Sequence, residues 1–419
     1  MMNVITDASV QDRVTIATYI DLSKAFDCLQ YDKLFQKMVS LGFQDNTLNW
    51  FKDYLTDRRQ CVDIDGEQSE WLDVKLGVPQ GSILGPILFL IYVNDINKCN
   101  KHADYAKFAD DTTILTSGDT LEIATSRMNK SLERVDTWFK RNKLNLNPSK
   151  TRYMLFNSKS EETKLVKIGT EYIERVWEKG KEKSFKLVGI HVDEKLKWDK
   201  HINYIARKMD WTLYGLTKVN KQLSYSNKKL LYSGLIHSHL VFGLPIWGFA
   251  SQGRLNTLLT KQKKAIRKIY NLKYKEHTLP FFQAASILRL PELIKHTTLC
   301  YIHSGLDKDS PSHIKKLWKL KKISRENLRD RGIQIEYPLS PKQWINALPP
   351  IAQAKLWNSI SIRKDVAKTT FKLDSKLIYQ SEYALELYNN QEIYADYWKA
   401  KKEEEQQNKP LTEDQCIMM

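Results

Sequence analysis

The stretch Tyr105-Ala-Lys-Phe-Ala-Asp-Asp-Thr-Thr-Ile-Leu115 decides how the rest of the chain is read. β-prone residues alternate on both sides of Asp110 and Asp111, which predicts a hairpin with the acid pair at its tight tip. In mid-strand, successive side chains point to opposite faces and two acids could not share a task. At a turn, both can lean toward one point. Adjacent carboxylates repel unless a cation neutralises them, so a divalent metal is the natural third party. A solvated Asp-Asp turn is the ordinary alternative for such a dipeptide. The sequence around it argues for more.

At 419 residues the chain has room for two or three domains with real cores. A content of 42% hydrophobic and 11% aromatic residues marks it as globular, not disordered. The formal net charge of +17 points to a polyanionic partner, either nucleic acid or an anionic membrane face. That charge is concentrated: between Lys200 and Lys275 there are 15 Lys and Arg against one acid, Asp210. The cysteines (Cys28, Cys61, Cys99, Cys300, Cys416) are odd in number and scattered, with no CxxC and no Cys/His cluster. They argue for a reducing compartment and against a disulfide framework or zinc knuckle. No signal peptide is visible, and the most apolar run, Ile83 to Val93, falls short of the ~20 residues a membrane span needs. The expectation is a soluble intracellular protein, nuclear or cytoplasmic, with no membrane partner.

In chain order, Val14 to Ile20 reads as a mostly buried strand ending on Asp21. Two amphipathic helices follow, one around Leu34, Met38 and Leu41 and stopped by Gly42, the other from Thr47 to Leu55. Arg59 to Asp65 and Glu70 to Leu76 look like strands around an Asp65-Gly66 turn. Gly77-Val-Pro-Gln-Gly-Ser-Ile-Leu-Gly-Pro86 is a Gly/Pro-rich loop running into an apolar helix, Ile87 to Ile96. Its glycines let the main chain approach a flat or charged ligand closely; a tight structural turn is the simpler reading. A long helix (Leu121 to Phe139), a strand (Arg152 to Phe156) and a further strand (Ser184 to Val192, with Gly189 as a bulge or close backbone contact) come next. From Trp198 the pattern turns helical: His201 to Asn220, Asn227 to His239 and Arg254 to Asn271. Basic residues interleave there with Trp211, Tyr214, Tyr232, Tyr270 and Tyr274; these rings either stack on a nucleic acid or fill a core, and the core is expected for most. His237 and His239 lack ligand partners in the sequence and read as structural.

If the strand ending on Asp21 neighbours the Asp110-Asp111 hairpin, three carboxylates meet at one spot. Hard oxygen ligands at that density suit Mg²⁺ or Mn²⁺ and give no grip to Zn²⁺. A pair of such ions ~3.5–4 Å apart can stabilise the attacking and leaving oxygens of an in-line phosphoryl displacement. The basic helical region would then face the polyphosphate backbone of a duplex.

Five blocks in order carry a resemblance to the reverse transcriptases of non-LTR (LINE-type) retrotransposons, specific over about Val14 to Trp198. YIDLSKAFD (19–27) resembles the family's first catalytic block, GVPQGSILGP (77–86) its nucleotide- and template-facing loop, and YAKFADDTTIL (105–115) its second catalytic block. LNLNPSKT (144–151) is similar to the lysine-bearing segment that follows, and KLVGIHVDEKLKW (186–198) to the primer-grip hairpin. Weaker similarity continues through LIHSHLVFGLPIWG and KQKKAIRKIY, which resemble the thumb, and through KLWNSI and TTFKL near the C-terminus.

The resemblance implies an α+β fold. A polymerase palm, a small antiparallel sheet backed by helices, would occupy residues 1–196 with residual fingers. A basic helical thumb (197–280), a mainly helical C-terminal region (281–390) and a charged tail (391–419) would follow. It also implies roles. Asp21, Asp110 and Asp111 would hold two Mg²⁺ ions, with the Leu22 carbonyl as a further candidate ligand. Phe26 would stand against the sugar 2′ position and select dNTPs, unless it is simply a packed core ring. Gln80 and Gly81 would lie along the incoming nucleotide and templating base. Lys150 would approach the triphosphate and protonate the leaving pyrophosphate, with a solvated lysine as its alternative. Val188 and Gly189 would support the primer end. The partners would be an RNA template, a DNA primer or RNA–DNA duplex, and dNTPs.

Only about 20 residues precede Asp21, where the family has its fingers region, so the chain reads as N-terminally truncated, without fingers and endonuclease. Losing positioning groups can abolish phosphoryl transfer with all three acids intact. A catalytically inactive nucleic-acid-binding remnant is therefore the alternative. An RNA-dependent RNA polymerase is disfavoured by Phe26. Cys416-Ile-Met-Met419 fits a prenylation box without a polybasic patch before it, and Lys315 to Lys322 fits a nuclear address or a solvated helix face.

Overall fold

Val14–Ile20 (β1) is a run of apolar and β-branched residues with six of its seven side chains buried, the pattern of a strand covered on both faces. It forms the middle of a five-stranded sheet. In the computed structural model, which describes residues 1–176, 183–320, 334–338, 340–359, 371 and 376, the chain divides into two compact units, Met1–Leu196 and Lys197–Met419.

The first unit mixes helix and sheet. Asp104–Phe108 (β2), Asp111–Gly118 (β3), Arg152–Phe156 (β4) and Glu174–Arg175 (β5) join β1 in the order β5–β4–β1–β3–β2. β1 pairs antiparallel with β3 (Ile20 opposite Thr112) and with β4 (Tyr19 opposite Arg152), and β2 pairs antiparallel with β3. The sheet departs from the expected all-antiparallel form at one edge, where β5 runs parallel to β4.

Helices Met2–Val10 (α1), Tyr31–Ser40 (α2), Asp45–Leu55 (α3), Leu84–Tyr92 (α4) and Leu121–Arg141 (α5) complete the unit. α5 starts where Thr120 accepts a hydrogen bond from the Ile123 amide at 3.3 Å, a cap that stabilises a helix by about 1 kcal/mol. Ala124, Met128, Leu132, Val135 and Phe139 recur every three or four residues along it and are buried. They join Leu34 and Met38 of α2 and Leu88, Phe89 and Tyr92 of α4 in one core with Ile16, Ile20, Ile114 and Tyr153 of the sheet.

Some local expectations are corrected. α4 begins at Leu84 and ends at Tyr92, giving way to a 3-10 turn over Asn94–Lys98. The Arg59–Leu76 hairpin is interrupted: Arg58–Gln60 pairs with Leu72–Val74, and Asp63–Ile64 with Glu67–Gln68. Between the two ladders, the Val62 amide is taken by Ser69 Oγ at 2.9 Å. Read from its residues as one strand, Ser184 to Val192 instead doubles back as a hairpin of Phe185–Leu187 (β6) and Ile190–Val192 (β7). The reversal is made by Val188 and Gly189, both at positive φ (44° and 84°).

The second unit is helical over most of its described length. Asp199–Val219 (α6) and Gln252–Tyr270 (α7) pack together through stripes that include Ile202, Ile205, Met209 and Leu216 on one and Leu258, Ala265, Ile266 and Ile269 on the other. Between them in sequence, Tyr225–Tyr232 passes through a π-turn, Ser233–His237, into Ser238–Val241. Leu290–Leu306 (α8) follows. The buried amide of Gln262 is fully used, donating to Tyr232 Oη and the Leu288 carbonyl and accepting from the Leu290 amide.

The expectation for the aromatics fails for three of the five. Tyr232 is buried, but Trp211, Tyr214 and Tyr274 are 75%, 60% and 83% exposed. Trp211 and Tyr214 sit off the buried stripe of α6, on its solvent side. Further on, Pro349–Ser359 is helical. The stretch 391–419, most of TTFKL and the end of the Lys315–Lys322 run lie outside the described residues.

Candidate active site

One end of the sheet gathers the acids. β1 ends at Ile20, opposite Thr112, so one more step of that antiparallel register sets Asp21 level with Asp111. On the other side of β3, Phe108 pairs with Asp111, leaving Ala109 and Asp110 as a two-residue turn. Ala109 takes φ +51°, a left-handed conformation that costs a residue with a Cβ about 1 kcal/mol or more. The turn therefore holds strain where it presents its carboxylates, and both Asp110 and Asp111 are exposed. The Asp111 carboxyl is held above the ordinary carboxylate range, first by partial burial and then by the negative charges of Asp110 and Asp21. Thus the three acids feel one another. Among the described residues, however, no three His, Cys, Asp or Glu side chains converge closely enough to form a finished metal cage.

Asp21 is pinned by a segment valued in the sequence for its lysine alone. The Asp21 amide donates to Thr151 Oγ1 at 3.3 Å, and the Asp21 carbonyl accepts from the Asn147 amide at 3.0 Å. Thr151 Oγ1 in turn donates to the Asn147 carbonyl at 2.8 Å. Leu22 and Ser23 form a short ladder with Leu146 and Asn145. The β1–β4 register ends at Tyr19 opposite Arg152 and a new one sets Leu22 opposite Leu146, so Lys150 lies exposed on the turn between the two ladders. Asn147 and Thr151 were missed as site residues; their only signal was membership of LNLNPSKT.

The glycine-rich loop docks on the turn after Asp21. The Gly77 amide donates to the Leu29 carbonyl at 2.9 Å and the Val78 amide to the Phe26 carbonyl at 3.0 Å. Gly77 is at φ +78°, and a Cβ there would come within 2.8 Å of Asp27 backbone atoms. Gln80 follows, its side-chain amide donating to Asp27 Oδ1 at 2.8 Å; Gly81 is at φ +79° with open space around it. Phe26 is half-buried, its ring 4.7 Å from that of Phe89. The loop and the first acidic block are therefore one assembly. The pairing of Gln80 with Asp27 had no signal in the spacing.

Val188 and Gly189 form the tip of the β6–β7 hairpin, whose Phe185 ring stacks on Tyr19 of β1 at 4.3 Å and 11°. Beyond it, Glu194 takes the Arg175 guanidinium through two contacts of 2.9 and 2.8 Å and accepts the Leu155 amide of β4 at 2.8 Å. Arg175 also donates to the carbonyls of Ser160 and Glu162. This pair, with side chains 2% and 13% exposed, ties the hairpin's continuation to the sheet.

Comparison with known proteins bears on this arrangement. The family described as reverse transcriptase (RNA-dependent DNA polymerase) matches residues 2–192. The RNA-directed DNA polymerase from mobile element jockey of Drosophila melanogaster is 25% identical over 283 residues, 64% of this chain and 30% of that protein. The probable RNA-directed DNA polymerase from transposon BS of the same fly is 28% identical over 268 residues, 62% of this chain and 29% of that one. The chain thus spans about 30% of the length of these relatives. A telomerase structure from Candida albicans, in complex with a TWJ fragment of telomeric RNA, aligns over 65% of this chain and 50% of its own. Its 12% identity and TM-score of 0.35 are too low to argue from. Among the described residues no helix is long and apolar enough to cross a membrane. Residues 2–192 therefore resemble a reverse transcriptase domain, and the relatives they resemble are RNA-directed DNA polymerases of Drosophila mobile elements, in line with the non-LTR (LINE-type) likeness of the sequence blocks.

Proposed function

We propose that the chain acts as an RNA-directed DNA polymerase, adding dNTPs to a primer 3′-hydroxyl along an RNA template. In this reading residues 1–196 are the palm, 197–280 the thumb, 281–390 a helical C-terminal region and 391–419 a charged tail. The observation that carries it is the acid end of the sheet, where the β1–β3 register sets Asp21 level with Asp111 and where partial burial, then the charges of Asp110 and Asp21, hold the Asp111 carboxyl above its ordinary range.

Such a donor set fits Mg²⁺ or Mn²⁺. It is all oxygen, with Asp110 and Asp111 exposed and Asp21 half-buried, and Mg²⁺ commonly takes one or two carboxylates and completes its shell with water and substrate phosphates. An unfinished cage is compatible with a site that substrate completes. Asp21, Asp110 and Asp111 would hold two ions, with the Leu22 carbonyl beside them. When bound, the ions would supply charge neutralisation at the attacking and leaving oxygens.

The chain's own groups do the rest. Asp27 fixes Gln80, which with Gly81 lies along the incoming nucleotide. Phe26, braced by Phe89, closes the space a ribose 2′-hydroxyl would need. Lys150 offers its ammonium to the triphosphate and gives a proton to the leaving pyrophosphate. The Val188-Gly189 tip bears on the primer end. Primer extension on an RNA template with Mg²⁺ tests the reading, and extension that persists in the double variant Asp110→Ala, Asp111→Ala refutes it.

A second reading, a nucleic-acid-binding remnant without catalysis, draws on the basic stretch from Lys200 to Lys275, which uses none of the three acids. Purified protein that binds a primer–template and never extends it would establish that reading.

A further inference from the structure

A cleft of about 860 Å³ opens within the second unit between α6 and α7. Lys263, Lys264, Arg267 and Lys268 line it from α7, Tyr214 from α6 and Tyr274 from the chain beyond α7. We propose that this cleft binds single-stranded nucleic acid, with unpaired bases stacked on Tyr214 and Tyr274 and the backbone phosphates on the α7 cations.

Three observations meet there. First, the charge is uncompensated. Among the described residues Lys263, Lys264 and Lys268 make no ion pair, and the acid on the cleft wall, Asp210, is already engaged by Lys261. Second, the rings are open: Tyr214 is 60% and Tyr274 83% exposed, which an aromatic side chain adopts at the cost of leaving its faces in water. The Lys218 ammonium lies over one face of the Tyr214 ring, 5.4 Å from its centre, and adds a further cation beside the ring. Third, two polar atoms of the cleft, Asn220 Oδ1 and Arg267 Nε, are buried without a hydrogen-bond partner. Buried polar groups are ordinarily satisfied, so an acceptor and a donor left over mark a cleft wall whose polar groups the fold alone does not pair.

A duplex hides its base faces in its own stack and would meet only the cations. A single strand can use rings, cations and orphaned polar atoms together. This inference stands apart from the polymerase reading, because it concerns binding and uses none of the acids.

The test is fluorescence anisotropy on the full chain, without dNTPs. The probes are a labelled single-stranded RNA 12-mer, its single-stranded DNA counterpart and the matched duplex. The double variant Tyr214→Ala, Tyr274→Ala should weaken single-strand binding by about tenfold or more and duplex binding less than about twofold. Tyr214→Phe with Tyr274→Phe, which keeps the ring faces, should bind as the natural chain does and guards against misfolding. Lys264→Gln with Lys268→Gln should reduce the single-strand salt slope by about 1.4. Unchanged single-strand affinity in the alanine variant, or equal losses for strand and duplex, overturns the proposal.

Discussion

Gly77 and Gly81 stand four residues apart in one loop at almost the same backbone angle, φ +78° and +79°, yet only the first is crowded. Replacing each by alanine therefore separates backbone strain from contact. Gly81→Ala meets nothing within 4 Å and should cost only the left-handed strain, about 1 kcal/mol. In Gly77→Ala the new Cβ would lie 2.8 Å from Asp27 Cα and O and 2.9 Å from the Phe26 carbonyl oxygen. These are backbone atoms that no rotamer change can move aside. Restoring ordinary contact near 3.4 Å requires the loop to withdraw by about 0.6 Å. That would stretch the 2.9 and 3.0 Å bonds from the Gly77 and Val78 amides beyond hydrogen-bonding distance. Two lost bonds at about 1 kcal/mol each, added to the strain, give about 3 kcal/mol against about 1 for Gly81→Ala. In a unit of this size the difference corresponds to a melting temperature lower by roughly 4–8 °C, readable by circular dichroism. Because Gln80 moves with the loop, kcat/KM for primer extension should also fall by about tenfold, given that misplacement of ~1 Å can cost 10²-fold. If the two variants melt together, docking of the loop on the Phe26–Leu29 turn is not what holds it.

Other expectations follow from single sites. The folded state holds the Asp111 proton more tightly than the unfolded chain does, because of its burial and its acidic neighbours. The contribution of Asp111 to stability in metal-free buffer should therefore be fully present below the ordinary carboxylate pKa and be lost as pH rises through the elevated one. Solvent exposure limits the effect to a few tenths of a kcal/mol. Asp111→Asn should flatten that decline, and added Mg²⁺ should raise the melting temperature of the natural chain but not of Asp110→Asn with Asp111→Asn; an equal rise in both removes the metal assignment. Glu194→Ala removes the carboxylate from the buried Arg175 guanidinium, leaving it only neutral carbonyl partners, and leaves the Leu155 amide without its acceptor, which should cost about 3 kcal/mol in urea unfolding. Adding Arg175→Ala should recover part of that loss, and strict additivity would refute the coupling. Val188 is β-branched at φ +44°, so Val188→Asn should stabilise the hairpin by about 1 kcal/mol, whereas an unchanged or lower melting point would show that the tip is not strained. Phe26→Val should raise rNTP incorporation relative to dNTP, and an unchanged ratio would leave Phe26 a packing residue of Phe89.

What could be read in advance depended on how local its physical cause was. β1 announces itself because Val14–Ile20 is apolar or β-branched throughout, and the acid hairpin because alternation breaks at Asp110-Asp111. Both signals lie within a dozen residues. The Val188-Gly189 reversal was harder, since a valine at positive φ contradicts its own propensity; packing elsewhere in the hairpin, including Phe185 on Tyr19, must hold it. Contacts such as Gln80 with Asp27, Thr151 with Asp21, or Glu194 with Arg175 join residues 53, 130 and 19 positions apart, and no periodicity encodes a partner at those separations. The tyrosines show the limit from the other side. Composition favours an aromatic ring in the core, and only the helical phase of α6 could have set Tyr214 outside it. Where propensity and phase disagree, as at Val188 and Tyr214, the fold holds a residue in a conformation or an exposure that it does not favour by itself. Both positions belong to surfaces proposed to touch nucleic acid, Val188 at the primer end and Tyr214 in the α6–α7 cleft, so strain and exposure point to places that binding measurements should find.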